Sequence, residues 1–300
     1  MTHTILRLTQ LISKLREYLL KSDAMEVITP ILLDLPTSEP TISNFKIEKR
    51  NKYLRTSSEF ELKKILIEKN IDVFEIGHVF RANESGSIHL EEFRMLEWYR
   101  REKSYIDLME EISSLLEFIG INYKTLCLSY KKVFEDAFDI EPHTATDSDL
   151  RDLIRKNLEV NETLLIGRGE LFDCLNIVLM KTKLFKENAI FVYDFPAELR
   201  GYSELCDDPR YAKRFELYIQ GIEIVNGYQE IVDSEIQELC FKEENKFRKE
   251  RGFPTAALNQ EFINILKKNN CGPYSGAAMG IERLLAVLHQ VESFNQLKIY

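Results

Sequence analysis

The sequence predicts an α/β (α+β) fold: a sheet with helices packed against it, in one domain spanning residues 1–300. Three observations carry this prediction. Apolar residues recur at helical spacing in some segments and alternate as in strands in others. The 44% hydrophobic and 11% aromatic content supplies a substantial core. Neither an internal repeat nor a Pro/Gly/Ser-rich linker divides the 300 residues.

Ile5, Leu8, Leu11, Ile12, Leu15, Tyr18 and Leu19 recur at three- and four-residue steps, one stripe of an amphipathic helix. EVITPIL follows as a short β-branched run closed by Pro30. TSSEF opens a second helix; VFEIGHVF and EEFRMLEWYR read as two strands around a polar turn, and YIDLMEEISSLLEFIG as a helix. Residues 121–190 mix short apolar groups with charges and are expected to form a helical insertion packed on the core. FVYDFPAE and RFELYIQGIEIVNGYQEI are strand-like, and SEIQELCFKEENKFRKERG is a charged helix. GPYSGAAMGIERLLAVL is a strand entering a helix.

Composition excludes several classes of function. Arg7, Lys14, Arg16 and Glu17 interrupt the N-terminal stripe, so it lacks the unbroken apolar core of a signal peptide. No stretch approaches the ~20 apolar residues of a membrane span. A cytoplasmic protein with no membrane partner is expected. Cys127, Cys174, Cys206, Cys240 and Cys271 are scattered singly with no CxxC pair, which predicts reduced, mostly buried thiols rather than disulfides or structural zinc. The five histidines form no HxH or HExxH spacing, so transition-metal chemistry is not expected. The net charge of −9 disfavours wrapping a polyanion, because such affinity rests on phosphate neutralisation; no stable nucleic-acid partner is expected.

Three constellations carry chemistry. FRANESGSIHLEEFRMLEWYR holds Arg81, His89 and Arg94 among carboxylates, and alternation puts Phe93, Met95, Glu97 and Tyr99 on one face. A guanidinium at one strand end and an aromatic ring on its neighbour suit an α-phosphate and a purine, while an ordinary hairpin with solvated charges fits the same pattern. In FELYIQGIEIVNGYQEI, Asn226, Tyr228 and Glu230 share a face, and Glu216 and Glu223 are carboxylate donors of the kind magnesium takes. Glu223 falls on the opposite face from Asn226, so a bulge or twist near Gly221 is needed to bring it round. Asn226-Gly227 between apolar runs is equally a tight-hairpin signal. SGAAMGIERL leads through Gly280 into a helix with Arg283 in its first turn, which suits phosphate and equally a plain strand-to-helix turn. Thr56 and Glu59 match a capping box, so Glu59 also has a purely structural reading.

Taken in this order, the segments resemble the three signature motifs of class II aminoacyl-tRNA synthetases: an interface helix ending in a strand and Pro30, an FRxxE…H…EF hairpin, and a glycine-bearing GIER helix start. TSSEFELK, LEWYR, GIEIVNGYQE and FVYDFPAE resemble the lysyl subgroup, and more narrowly the bacterial elongation factor P lysyltransferases, paralogues of lysyl-tRNA synthetase. The resemblance covers nearly the whole chain and is weakest over residues 121–190. It implies an antiparallel sheet flanked by helices, no anticodon-binding domain, use of ATP and Mg2+, and AMP-forming ligation of a lysine-type amino acid.

By this resemblance Arg81 would hold the α-phosphate, His89 would lie near the outer phosphates, Phe93 would stack on adenine and Arg283 would grip the far end of a bent ATP. Asn83, Ile224 and Gly280 would complete the nucleotide site. Glu216 and Glu223 would hold magnesium, with Arg81, Arg283 and Glu223 serving catalysis. Ser57, Ser58, Glu59, Glu97, Tyr99, Asn226, Tyr228, Glu230 and Ala278 would line the amino-acid pocket. Glu230 would meet the ε-ammonium, since an unpaired buried charge is costly.

Two features favour a lysine of elongation factor P over tRNA as acceptor. The chain starts at the first signature helix, without room for an N-terminal anticodon-binding barrel, and Ala278 stands where synthetases usually have glycine and the paralogues have alanine. The implied substrate is (R)-β-lysine. The N-terminal helix implies a homodimer, with packing on its own core as the alternative. FRANE replaces the family's usual FRNEE, so Asn83 occupies the place of a glutamate that would read the adenine amino group. Leu90 replaces an asparagine near ATP, and Ser58 a proline. These departures keep open a catalytically silent paralogue that binds a lysine-like ligand or a protein. A truncated synthetase acting on tRNA is the third reading.

Overall fold

The computed structural model describes residues 2–39, 42–160, 167–269, 271–291 and 294; part of the expected insertion, 161–166, lies outside them. The chain divides into two compact units, Met1–Ile121 with Gln229–Tyr300, and Asn122–Tyr228.

In the first unit, α1 (Thr2–Lys21) buries Leu8, Leu11, Leu15 and Leu19 at the expected spacing and leaves Ile5 exposed. EVITPIL does not form one strand. It contributes β1 (Met25–Glu26) and ends before β2 (Leu32–Leu33), because Thr29 turns to donate from N and Oγ1 to the Glu75 carboxylate while Ile28 stands in solvent. β2, β3 (Lys46–Ile47) and β4 (Lys52–Leu54) make a small antiparallel sheet with β4 in the middle, which two- and three-residue strands gave no pattern to predict.

The helix α2 (Glu59–Lys69) and the strands β5 (Val73–Phe80) and β6 (Glu92–Arg101) follow as expected. Next, α3 (Tyr105–Phe118) starts from a reciprocal capping box between Ser104 and Asp107. After the second unit the chain returns through α8 (Ser234–Glu250), the unanticipated α9 (Gln260–Leu266), β11 (Tyr274–Gly280) and α10 (Ile281–Leu288). The strands of the first unit run β1-β5-β6-β11, antiparallel except for the parallel pair β1 and β5. Helices pack against them, so Phe74, Leu96 and Trp98 are fully buried.

The second unit opens with β7 (Thr125–Ser129), a strand where a purely helical insertion was expected. It runs parallel to β8 (Ala189–Pro196). Between them lie α4 (Tyr130–Phe138), α5 (Asp147–Asn157), α6 (Arg168–Leu179) and α7 (Lys183–Glu187), packed around Phe134, Phe172, Leu175 and Phe195. β8, β9 (Tyr211–Ile219) and β10 (Ile222–Gln229) pair antiparallel. The β9–β10 turn is Gln220-Gly221, both at positive φ (54° and 75°), as a two-residue hairpin requires. Asn226-Gly227 is therefore not a turn: it lies inside β10, paired with Glu216 and Phe215.

The five cysteines are free thiols, but only Cys240 and Cys271 are buried, and Cys127 on β7 is exposed; the expectation of mostly buried thiols is corrected. Among the described residues no helix is long and apolar enough to cross a membrane.

Candidate active site

The first unit gathers most of the predicted amino-acid pocket. Ser58 caps α2 without a side-chain bond. Ser57 Oγ accepts from the Glu59 backbone N–H at 2.9 Å and donates to Glu97 Oε2 at 3.0 Å, while the Ser58 N–H donates to Glu97 Oε1 at 3.1 Å. The positive end of α2 thus faces a carboxylate, as the helix dipole favours. The Thr56–Glu59 capping box is not formed. Glu59 is the first helical residue, and its carboxylate lies 2.5 Å from Lys63 Nζ, one turn on.

The same ammonium lies 2.5 Å from Glu230 Oε2, and the Lys63 and Glu230 side chains are each 1% exposed. Glu97 is equally buried. Tyr99 places its ring 5.7 Å from the Lys63 ammonium. Gly276 lies opposite Tyr99 on β11, where a Cβ would fall 2.1 Å from the Tyr99 Cε1 atom and 2.8 Å from Glu230 Oε1. Only glycine leaves room there. Ala278 sits two residues on, opposite Glu97. A cavity of about 310 Å3 opens beside Ser57, Ser58 and Glu59, walled by Leu33, Phe60 and Phe241 and by the carboxylates of Asp34, Glu61 and Glu261.

The electrostatics follow from burial. Burial pushes Glu97 up to about 7; the bonds from Ser58 and Ser57 pull it down, Glu59 pushes it further up, and Arg55 pulls it down. Burial also raises Glu230 above the ordinary carboxylate range, opposed by the charge of Lys63. Burial works against the Lys63 ammonium too, but Glu230 and Glu59 outweigh it and hold Lys63 protonated. Lys63 bridges Glu59 and Glu230, and with the Glu97 charge acting beside them the pocket favours a cationic ligand.

The predicted nucleotide residues of this unit cluster on the β5–β6 hairpin and the start of α10. The Arg81 guanidinium lies 5.4 Å from the Phe93 ring centroid, and its Nε donates to Thr56 O at 3.4 Å. Arg283 Nη2 lies 3.0 Å from His89 Nε2. Gly280 is the N-cap of α10, and a Cβ built there would meet the Arg283 side chain at 3.5 Å, ordinary van der Waals contact, so the chain itself does not require glycine there. Glu282, buried beside Arg283, accepts from the Arg94 N–H and Nη1, both at 2.9 Å, and fastens α10 to β6. Asn83 is exposed with φ 67°, and its N–H donates to Glu91 Oε1 at 3.0 Å. Asn is among the few side chains that adopt this left-handed backbone readily.

The second unit gathers Glu216, Glu223, Ile224, Asn226 and Tyr228. The register shifts between Glu223 and Val225, so buried Ile224 is the extra residue of a bulge. Glu223 pairs with Tyr218 and Asn226 with Glu216, which puts Glu223 on the face of Asn226 as magnesium ligation would require. The bulge lies at Ile224 rather than at Gly221. Arg214 is the hub: it donates from Nη2 to Glu216, from Nε to Asn226 Oδ1 at 3.2 Å and from Nη1 to Leu199 O at 2.5 Å. The Tyr218 hydroxyl donates to the other Glu216 oxygen, and Asn226 Nδ2 donates to the Tyr228 hydroxyl oxygen at 3.0 Å. Burial raises Glu216 and the nearby charge of Glu223 raises it further, against the pull of Arg214.

Sequence reasoning passed over Lys63, Arg214 and Gly276. A readable signal existed for two of them: Glu59 and Lys63 stand four apart on a helix, and Arg214 and Glu216 two apart on a strand.

Over residues 1–300 the chain matches the family described as tRNA synthetases class II (D, K and N). It is similar to proteins named elongation factor P–(R)-beta-lysine ligase from several bacteria. That of Hamiltonella defensa subsp. Acyrthosiphon pisum is 28% identical over 99% of this chain and 94% of its own length. That of Baumannia cicadellinicola subsp. Homalodisca coagulata is 31% identical over 99% and 94%. That of Haemophilus influenzae is 31% identical over 97% and 92%.

Proposed function

The chain belongs to the class II tRNA synthetases of the D, K and N group and, within them, to the family of the elongation factor P–(R)-beta-lysine ligases, and on that premise we propose that it joins (R)-β-lysine to a lysine side chain of elongation factor P. The protein is an ATP-dependent, AMP-forming amino-acid ligase. The substrate carboxylate attacks the α-phosphate of ATP and pyrophosphate leaves; the acceptor amine then attacks the carbonyl of the aminoacyl adenylate and AMP leaves.

The observation that carries this reading is the group of Glu59, Glu97 and Glu230, the last two buried, with the Lys63 ammonium bridging Glu59 and Glu230, which suits a ligand with two ammonium groups. Ala278, opposite Glu97, adds a methyl group to the back of this pocket and supports the β-amino acid over its α isomer. Arg81 and Arg283 supply positive charge where the phosphates bear developing negative charge, and no protein nucleophile is required. Glu216 and Glu223 share a face of the paired strands β9 and β10, with Arg214 donating to Glu216, a donor set that fits a divalent cation. They would hold Mg2+, which when bound supplies charge to the phosphate oxygens.

A homodimer is part of the proposal, supported by the exposed Leu6, Met25, Ile28, Ile31 and Leu32, with Ile28 93% exposed. Light scattering that gives a monomer mass at micromolar concentration contradicts it. The proposed setting is the cytoplasm, with no stable nucleic-acid or membrane partner.

The test is intact-mass spectrometry of elongation factor P after incubation with enzyme, ATP, Mg2+ and (R)-β-lysine. The reading predicts the mass of one added β-lysyl group. Unmodified elongation factor P beside charged tRNA favours the synthetase reading instead.

A further inference from the structure

We propose that Lys63 is a positioning residue of the amino-acid pocket: a built-in ammonium that fills one place among three carboxylates and leaves two places for ammonium groups of the ligand. This rests on the reading of Glu59, Glu97 and Glu230 as that pocket.

The geometry is specific. Lys63 leaves α2 and runs inward until its Nζ lies 2.5 Å from Glu59 Oε1 and 2.5 Å from Glu230 Oε2. It takes one oxygen of Glu230, and the other, Oε1, points toward the space kept open by Gly276. Groups from every packed element face this cluster: Glu59 from α2, Glu97 and Tyr99 from β6, and the Tyr274 hydroxyl from β11, buried without a hydrogen bond. Arg55 acts on Glu97 from outside the pocket.

Charge counting gives the consequence. With its carboxylates ionised, the pocket has one cation for three anions. The two ammonium groups of a diamino monocarboxylic acid supply one cation for each of the two remaining pocket carboxylates, while its own carboxylate is the group that attacks ATP. A monoamine leaves one carboxylate buried and unpaired, which is costly. Lys63 thus makes the pocket selective for diamines and, before the ligand arrives, keeps Glu230 aimed and more readily ionised than burial alone would leave it. Without Lys63, Glu59 and Glu230 confront each other, and a proton takes the place of the lysine at neutral pH. A lysine-type ligand must then displace that proton, so binding weakens and recovers only as the pH rises.

The test is pyrophosphate exchange into ATP from about pH 6.5 to 9.5, with the amino acid varied, for wild type, Lys63→Met and Lys63→Arg. In Lys63→Met the amino-acid KM should rise about 30-fold or more near pH 7.5, equivalent to about 2 kcal/mol. The pH at which KM levels off should move up by at least about one unit, in line with the usual scale of charge-induced shifts, while the KM for ATP stays near wild type. Lys63→Arg should keep the wild-type pH profile. An unchanged Lys63→Met, or a KM raised equally at every pH, overturns the inference and leaves the pocket reading standing. If Lys63→Met does not fold, Lys63→Arg decides, because retained charge must retain the profile and a shifted one overturns the inference. Wild-type protein that exchanges with no lysine-type acid overturns the pocket reading and this inference together.

Discussion

Replacing Glu97 with glutamine should make the ligand-free protein more stable at alkaline pH and a poorer binder of its amino acid. Burial pushes Glu97 up to about 7 from an ordinary 4.5. Below pH 4.5 the carboxyl is protonated in both the folded and the unfolded chain, and its burial carries no charge penalty. As pH rises the unfolded chain ionises first, so stability is lost until the pH has passed about 7, where the loss is complete. At about 1.4 kcal/mol per tenfold change in protonation, the full loss is about 3.5 kcal/mol, of which about 2.5 kcal/mol falls between pH 5 and pH 8. Glutamine keeps the shape without the charge. Its amide group faces one of the two donors, Ser57 Oγ or Ser58 N, and this offsets both pH values alike by about 1 kcal/mol. The signal is therefore the change in the variant-minus-wild-type difference, read by urea unfolding at the two pH values without ligand. A change of about 2.5 kcal/mol in favour of the variant at pH 8 is expected, with the amino-acid KM raised about 30-fold by loss of a buried charge partner. A difference that is the same at both pH values refutes the claim that Glu97 is held in an ionisable, strained state.

Arg81→Ala should lower kcat about 100- to 1000-fold with little change in the amino-acid KM, because the guanidinium acts on charge that develops at the phosphate; pre-steady-state adenylate formation reads this. Gly276→Ala drives a methyl into Tyr99 and Glu230 and should cost about 1–3 kcal/mol in denaturant unfolding together with a raised amino-acid KM. Arg214→Met strips Glu216 and Asn226 of their shared donor and should destabilise the protein by about 3–5 kcal/mol, seen as a lower unfolding midpoint.

The elements written in clean periods were legible in the sequence. The α1 stripe, the β5–β6 hairpin and the passage of β11 into α10 stand where the alternation and the three-to-four spacing put them. The short strands β2 to β4 were not, since two or three residues carry no period. β7 escaped because its residues do not alternate between buried and exposed. Asn226-Gly227 was the turn signal in its stretch, yet the turn falls at Gln220-Gly221, where both residues take positive φ, and Asn226 pairs with Glu216 inside β10. The acids and aromatics of the candidate site were visible as residue types. Lys63 and Arg214, which fix how those acids are held, were hidden because a lysine or arginine near a glutamate reads as a solvated pair until burial is known.

The most direct test of the central claim is pyrophosphate exchange into ATP by the wild-type protein with (R)-β-lysine, (S)-α-lysine or no amino acid. Exchange that depends on a lysine-type acid and is fastest with (R)-β-lysine is the predicted result. No exchange with either acid, from protein that is folded, contradicts adenylation and leaves a chain that binds without catalysis.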